Sequence, residues 1–199
     1  MEKENRKTKK KETIVNAAVK AFQQLGYDNA SMDYIAETAQ ASKRTVYNYF
    51  PGKELLFQEV LKRLICEAYR LQEIHYSTER SLEDQLSDFT EMKIAVTKDP
   101  SWFSLMKVAI GVSIYQPDIT RKTIAKAQEL EGGLVTWLEA AVKDGRLRVD
   151  CPKLAADVFW AMVSGAFFWP AFFEGPIEEE DIQKLKKEII ETFLGRYRV

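Results

Sequence analysis

With 199 residues, 46% of them apolar and 30% charged, the chain can bury one core or two small ones and is too rich in apolar side chains to stay disordered. Its net charge of −1 argues against a general coat for nucleic acid. The charge is divided, however: residues 1–55 carry 10 Lys or Arg against 7 Asp or Glu, and residues 56–199 carry 19 against 23, a basic head on an acidic body that fits a local DNA-binding surface.

The opening run MEKENRKTKKKE lacks an apolar core and is not a secretory signal. Its Lys and Arg are expected as a flexible arm along DNA or as solvated charge. A first helix is predicted from about Lys9 to Leu25, with Ile14, Ala17, Ala18, Ala21, Phe22 and Leu25 as its inner stripe and Gly26 as its stop. A second helix starts at the N-cap Ser31 and turns Ile35, Ala36 and Ala39 inward. After a tight turn a third begins at Ser42, a second good cap. At about 100° per residue, Lys43, Arg44, Tyr47 and Asn48 share its outer face, and Thr45, Val46, Tyr49 and Phe50 share the other. Two cations, a phenol and an amide on one short helix can bind phosphates and read base edges in the major groove.

The run TVYNYFPGKELL resembles the end of the DNA-binding domain of TetR-type transcriptional regulators, and the resemblance extends from about Lys11 to Val60. Its most specific part is Thr45, Tyr47, Tyr49, Phe50 and Lys53 at this spacing. It implies a bacterial dimer with a small helix-turn-helix domain, and contacts to DNA from Thr45, Tyr47, Tyr49 and Lys53. The wheel puts Thr45 and Tyr49 inward; a ring packed inward with its hydroxyl at the rim reconciles the two readings for Tyr49. Lys53 opens the next helix, whose free amides and dipole already favour a phosphate. With Ser42, Lys43, Arg44 and Asn48, these residues make up the expected DNA-binding set. Two positions depart from the family pattern. Gln40 stands in the turn where glycine is usual, at a cost of about 1 kcal/mol or more if φ is positive. Arg44 stands where glycine is frequent, and can either hold a guanine through two bonds or reach a phosphate.

The fourth helix starts near Gly52, carries Leu55, Leu56, Val60, Leu64 and Ile65, and is expected to run to about Ile74. That would carry it out of the DNA-binding domain (residues 1–55) into the body (residues 56–199) without a flexible linker. Further helices are predicted over Leu82–Thr97 and Ser101–Tyr115, with Pro100 and Pro117 as punctuation. A long one follows over about Asp118–Asp144, bent or loosened at Gly132 and Gly133. KDGRLRVD reads as a turn, and the last two helices span about Pro152–Phe173 and Glu178–Tyr197. The expected fold is all-α: an N-terminal three-helix helix-turn-helix domain continuous with a larger helical ligand-binding and dimerisation domain.

Val158–Phe173 holds 16 uncharged residues, about 24 Å of helix against the roughly 30 Å of a bilayer core. A buried or interface helix is expected there. Its aromatic residues go most of the way round, so part of their cover is expected from a second subunit. Ala161, Gly165, Phe168 and Phe172, with Leu185, Ile189 and Phe193 of the last helix, are the expected dimer interface. By resemblance these two helices form a four-helix interface, and a twofold dimer would read half-sites on successive turns of DNA.

The resemblance also implies a small-molecule effector bound in the body. Trp102, Phe103, Met106, Trp137, Phe159, Trp160 and Phe167 are its candidate lining, and this enrichment favours a hydrophobic or aromatic effector over a sugar or metal. KDGRLRVDCPKLAADVFWAMVSGAF is similar to the corresponding region of the AefR-type subset.

Cys66 and Cys151 have no metal-ligand spacing and suggest a reducing cytosol. The lone His75 is expected at a helix end in solvent, and no metal site or cofactor is expected. No P-loop, Gly-rich dinucleotide turn or HExxH is present. The expected function is therefore a cytoplasmic, effector-released dimeric repressor on a pseudo-palindromic operator. The alternative is a helical-bundle enzyme or carrier without specific DNA binding.

Overall fold

The computed structural model describes residues 2–69, 74–121 and 132–199. The described chain contains α1 (Glu2–Asn29), α2 (Met32–Thr38), α3 (Lys43–Tyr49), α4 (Lys53–Tyr69), α5 (Leu82–Thr97), α6 (Pro100–Tyr115), α7 (Gly132–Lys143), α8 (Pro152–Val163), a π-helical segment (Ser164–Phe168), α9 (Trp169–Phe173) and α10 (Glu179–Tyr197). Residues 117–121 are also helical. A single bridge, Leu147 to Arg198, is the one isolated extended pairing among the described residues, so the chain is all-α. The fourth helix's expected extension to Ile74 and most of the expected long helix after Asp118 fall outside the described residues.

Two compact units divide the chain: Met1–Cys66 with Ser104–Ala127, and Glu67–Phe103 with Gln128–Val199. In the first, α1 begins at Glu2, not near Lys9. The expected flexible arm is helical because its Lys, Glu and Arg are good helix formers and it contains no Gly or Pro. Gly26, at φ 73° and ψ 173°, breaks α1 as expected. That break leaves Leu25 38% exposed and buries Tyr27 in its place. Tyr27, Phe22 and Phe57 meet with ring centroids 5.0–5.7 Å apart, each such pair adding about 0.5–1.5 kcal/mol beyond area burial. From α4, Leu56, Phe57, Val60, Leu61 and Leu64 are buried, whereas Leu55 is half exposed. Lys11 pairs with Glu59 at 2.7 Å. Gln58 Nε2 donates to the Ile119 carbonyl at 3.0 Å, and Gln116 Nε2 donates to Asp28 at 3.2 Å; these bonds fasten residues 116–119 to the unit.

The second unit is organised around Trp137 and Gln85. Gln85 is fully buried. Its Oε1 accepts from Trp137 Nε1 at 3.0 Å and from the Ser77 amide at 2.7 Å, while its Nε2 donates to the Ser77, Arg80 and Ser81 carbonyls. A buried amide is tolerable only when satisfied in this way. The aromatic core is Phe89, Trp137, Phe159, Trp160, Phe167 and Phe193 with aliphatic neighbours. After α7, Gly145 takes φ 74°. Its amide bonds the Val142 carbonyl and that of Arg146 the Ala141 carbonyl, a Schellman stop. The KDGRLRVD turn then meets the C-terminus, where Arg148 N–H donates to the Tyr197 carbonyl at 2.8 Å.

Pro152–Phe173 passes as one apolar stretch of 22 residues, but it is not one α-helix. Ser164–Phe168 is π-helical, and the Trp169 amide reaches back five residues to the Ser164 carbonyl. Pro170 explains the widened turn. It has no N–H to give, and its ring crowds the carbonyl four residues earlier. The extra residue turns everything after it by about 100°. Phe168 and Phe172, expected at a dimer interface, are rotated inward and half buried. Phe168 lies 6.4 Å from Trp102 and 5.9 Å from Phe103, and Phe172 lies 6.0 Å from Phe103. Trp169 and Phe173, at 43% and 75% exposure, face outward instead, stacked on each other at 6.0 Å.

Two more interface expectations are corrected on α10. Ile189 and Phe193 are buried in the unit's own core, and Phe193 sits 5.1 Å from Phe159. Leu185 is exposed, as are Ala161 and Gly165. Of the expected pocket residues, Trp137, Phe159, Trp160 and Phe167 share one core. Trp102 and Phe103 pack with Phe168, and Met106 belongs to the first unit. His75 is exposed in a loop and Cys151 is exposed; the Cys66 side chain lies outside the described residues.

Candidate nucleic-acid interface

The interface is built from two seven-residue helices, each with a serine cap. Ser31 Oγ accepts from the Tyr34 amide at 3.1 Å, and Ser42 Oγ accepts from the Thr45 amide at 3.1 Å. Isolated helices this short are unstable, so caps and packing define them. Ile35, Ala36 and Ala39 are buried as expected. On α3, Val46 is fully buried and Phe50 follows at 4% exposure, fixing which way the helix presents its other face.

The turn between them is a second Schellman stop. Gln40 N–H donates to the Glu37 carbonyl and Ala41 N–H to the Ala36 carbonyl, both at 3.0 Å. Gln40 sits at φ 48°, the one non-glycine among the described residues with positive φ. The strained conformation is held by the pair of hydrogen bonds and by the buried neighbours Ala36 and Ala39. Gln40→Gly is expected to raise unfolding stability by a few tenths to about 1 kcal/mol, relief of strain exceeding the glycine entropy cost. Urea unfolding of both proteins checks this; a destabilised glycine variant would mean that the Gln40 side chain is needed.

Ser42, Lys43, Arg44, Tyr47 and Asn48 are exposed, Tyr47 at 47%, while Thr45 and Tyr49 are half buried. Thr45 and Tyr49 thus stand at the rim, neither buried as the wheel puts them nor fully exposed. Ser42 Oγ and Thr45 Oγ1 lie 2.7 Å apart. Lys43 is engaged: its Nζ is 2.6 Å from Asp33 Oδ2, and that hydrogen bond holds its pKa above the ordinary lysine value. An exposed pair of this kind contributes little to stability, but it places the cation at the seam of the two helices. Asp33 was not singled out from sequence; ten residues from Lys43, it gives no local signal. An open concavity of about 640 Å³ is lined by Ser31, Asp33, Tyr34, Ala36, Glu37, Ala41, Ser42 and Lys43.

Lys53 has a role that the sequence did not suggest. Its Nζ donates to the Tyr27 carbonyl at 2.8 Å and the Asp28 carbonyl at 3.0 Å, and lies 4.5 Å from the Tyr27 ring centre. Two of its three donors thus close the end of α1. Burial, with Glu54 and Asp28 adding to it, pushes the Tyr27 phenol up to about 12, so the ring meets the ammonium as a neutral π-face.

A capped pair of short helices with a cationic and aromatic outer face defines the chain as a helix-turn-helix DNA-binding regulator. Residues 14–60 match the model for bacterial regulatory proteins of the tetR family, and residues 84–199 match that for the C-terminal domain of AefR-like transcriptional repressors. A crystal structure of a TetR family transcriptional regulator from Pseudomonas syringae pv. tomato is 35% identical, covering 94% of this chain and 96% of that one at a TM-score of 0.77. A putative TetR-family regulator from Mesorhizobium loti is 26% identical, covering 96% and 98% at a TM-score of 0.83. An uncharacterized HTH-type transcriptional regulator of Bacillus subtilis, YhgD, is 25% identical over 88% of this chain and 92% of its own. The chain belongs to the TetR family of transcriptional regulators, and it is not an enzyme.

Proposed function

We propose that the protein is a cytoplasmic, dimeric repressor that holds a pseudo-palindromic operator and lets go when a small hydrophobic or aromatic molecule binds its body. The observation that carries the DNA half is the outer face of α3, where Arg44, Tyr47 and Asn48 stand exposed beside Ser42, Lys43 and the rim residues Thr45 and Tyr49. The match to AefR-like repressors supports the sign of regulation. Residues 1–55 read DNA in this proposal, and residues 56–199 dimerise and take the effector. Lys53 then has one ammonium proton left for a phosphate while it closes α1.

The dimer reading rests on an uncovered apolar stripe. Leu154, Val158, Ala161, Gly165, Trp169 and Phe173 follow one another along α8, the π segment and α9, all exposed, with Leu185 exposed on α10. A second copy of the same face would cover it in an isologous contact, with the small Ala161 and Gly165 allowing close approach. Such a dimer sets two α3 helices on half-sites about one helical turn apart.

The test is selection of bound DNA from a random duplex pool at near-physiological salt. An enriched palindrome with that half-site spacing is the expected result. A folded dimer that enriches nothing would overturn the DNA-reading proposal for the ligand-free protein.

A further inference from the structure

We infer that the effector site is organised by the indole N–H of Trp160 and takes an aromatic carboxylate, an inference that rests on the effector reading above. Two buried tryptophans of one core are treated differently. Trp137 gives its N–H to Gln85 at 3.0 Å. Trp160 is 8% exposed, and its Nε1 is the one buried side-chain polar atom among the described residues without a hydrogen-bond partner. A buried donor without a partner is costly, and folded proteins rarely leave one unless it has a task.

The surroundings say what kind of acceptor it awaits. Phe159 lies 5.5 Å and Phe89 6.1 Å from the Trp160 ring, both edge-on. The Lys93 ammonium lies 4.9 Å from the same ring's centre. Aromatic walls select a flat ring, the N–H selects an acceptor oxygen, and a cation over the same indole favours an acceptor carrying negative charge. No group of three His, Cys, Asp or Glu suited to a metal ion occurs among the described residues.

The backbone supplies an independent observation. The π-helical segment opens at Ser164, whose amide is shared between the Ala161 and Trp160 carbonyls. Widened turns of this kind are frequent at functional sites, and this one, set by Pro170, begins one turn beyond Trp160. With its Nε1 shut off from solvent, Trp160 meets a ligand only when this wall of the core moves, so occupancy and a change in α8 go together.

The experiment follows the four indole N–H resonances (the chain has four Trp) of ¹⁵N-labelled full-length protein during titration with benzoate, salicylate, phenylacetate and 1-naphthoate, and with neutral benzamide. At least one carboxylate is expected to move the resonance that is missing from the W160F spectrum. Its affinity is expected to fall at least about tenfold in W160F, the scale of one charge-assisted hydrogen bond, and benzamide is expected to bind more weakly than benzoate. All four indole signals unmoved at millimolar carboxylate, or unchanged affinity in W160F, overturns the inference. Should W160F fail to fold, K93Q provides the second variant. It is expected to weaken benzoate more than benzamide, and equal weakening counts against the inference. DNA selection by the same proteins separates the readings: selected DNA with no Trp160-dependent binding sinks only this inference, whereas failure to select DNA sinks the operator reading.

Discussion

Val158→Asp is expected to yield a folded monomer that no longer holds its operator tightly. Val158 is 42% exposed in one subunit and lies in the apolar stripe between Leu154 and Ala161, so a carboxylate there is harmless to the isolated chain. In the proposed dimer the same carboxylate is buried against an apolar partner, at a cost of several kcal/mol per ion. The twofold axis makes every substitution count twice. Loss of the second reading head removes the advantage of joint binding, commonly a factor of about 10²–10⁴. Sedimentation velocity and a DNA mobility assay read the two effects, and far-UV circular dichroism confirms the fold. A variant that still sediments as a dimer would place the interface elsewhere.

The second large effect is expected from Arg44→Ala. If Arg44 grips a guanine through both of its terminal nitrogens, each half-site loses about 1–3 kcal/mol of discrimination, roughly 2–6 kcal/mol over a symmetric operator. The preference at one base pair per half-site should then relax. If Arg44 meets only a phosphate, affinity falls evenly across sequences and the salt dependence flattens by about one charge per half-site. Repeating the DNA selection with the variant at two salt concentrations distinguishes these outcomes, and unchanged selection and affinity would remove Arg44 from the interface. Tyr47→Ala is the companion variant, since Tyr47 is exposed and packs little. Lys53 is a poorer probe. Its bonds to the Tyr27 and Asp28 carbonyls mean that its removal also loosens α1, mixing lost contact with lost stability.

Much of this was legible in the sequence because the signals were local. Ser31 and Ser42 mark helix starts through bonds spanning three residues. Gly26 marks a stop and KDGRLRVD a turn, and the 100° periodicity placed Val46 inward and Arg44 outward. The positive φ of Gln40 was legible only through the resemblance, which marked that position as a glycine site. What escaped depended on distant partners or on a change of helical pitch. Leu25 fits the stripe of α1, yet the chain turns one residue later and Tyr27 takes the space. Ile189 and Phe193 look like interface residues on a helix taken alone, but Phe159 claims Phe193 for the core. Phe168 and Phe172 would face outward on an uninterrupted α-helix, and no residue-by-residue periodicity announces a π turn. Gln85 gives no hint of itself in the sequence, since its value lies in Ser77 and Trp137, one of them 52 residues away.

The π segment also bears on how this protein can change over generations. A π turn is in effect a single codon inserted into an α-helix, and this one lies between Ala161 and Trp169. Loss of one residue from Ser164–Phe168 would let the helix close up to ordinary pitch while α9 kept its present face, because the widened turn already absorbs the extra residue. Trp169 and Phe173 would stay outside, and Phe172 would stay turned inward. Nothing in the DNA-reading helices would alter, and the proposed subunits would still meet on the same aromatic rings. A one-codon deletion here is thus a change that a sister regulator can carry while still pairing with its parent.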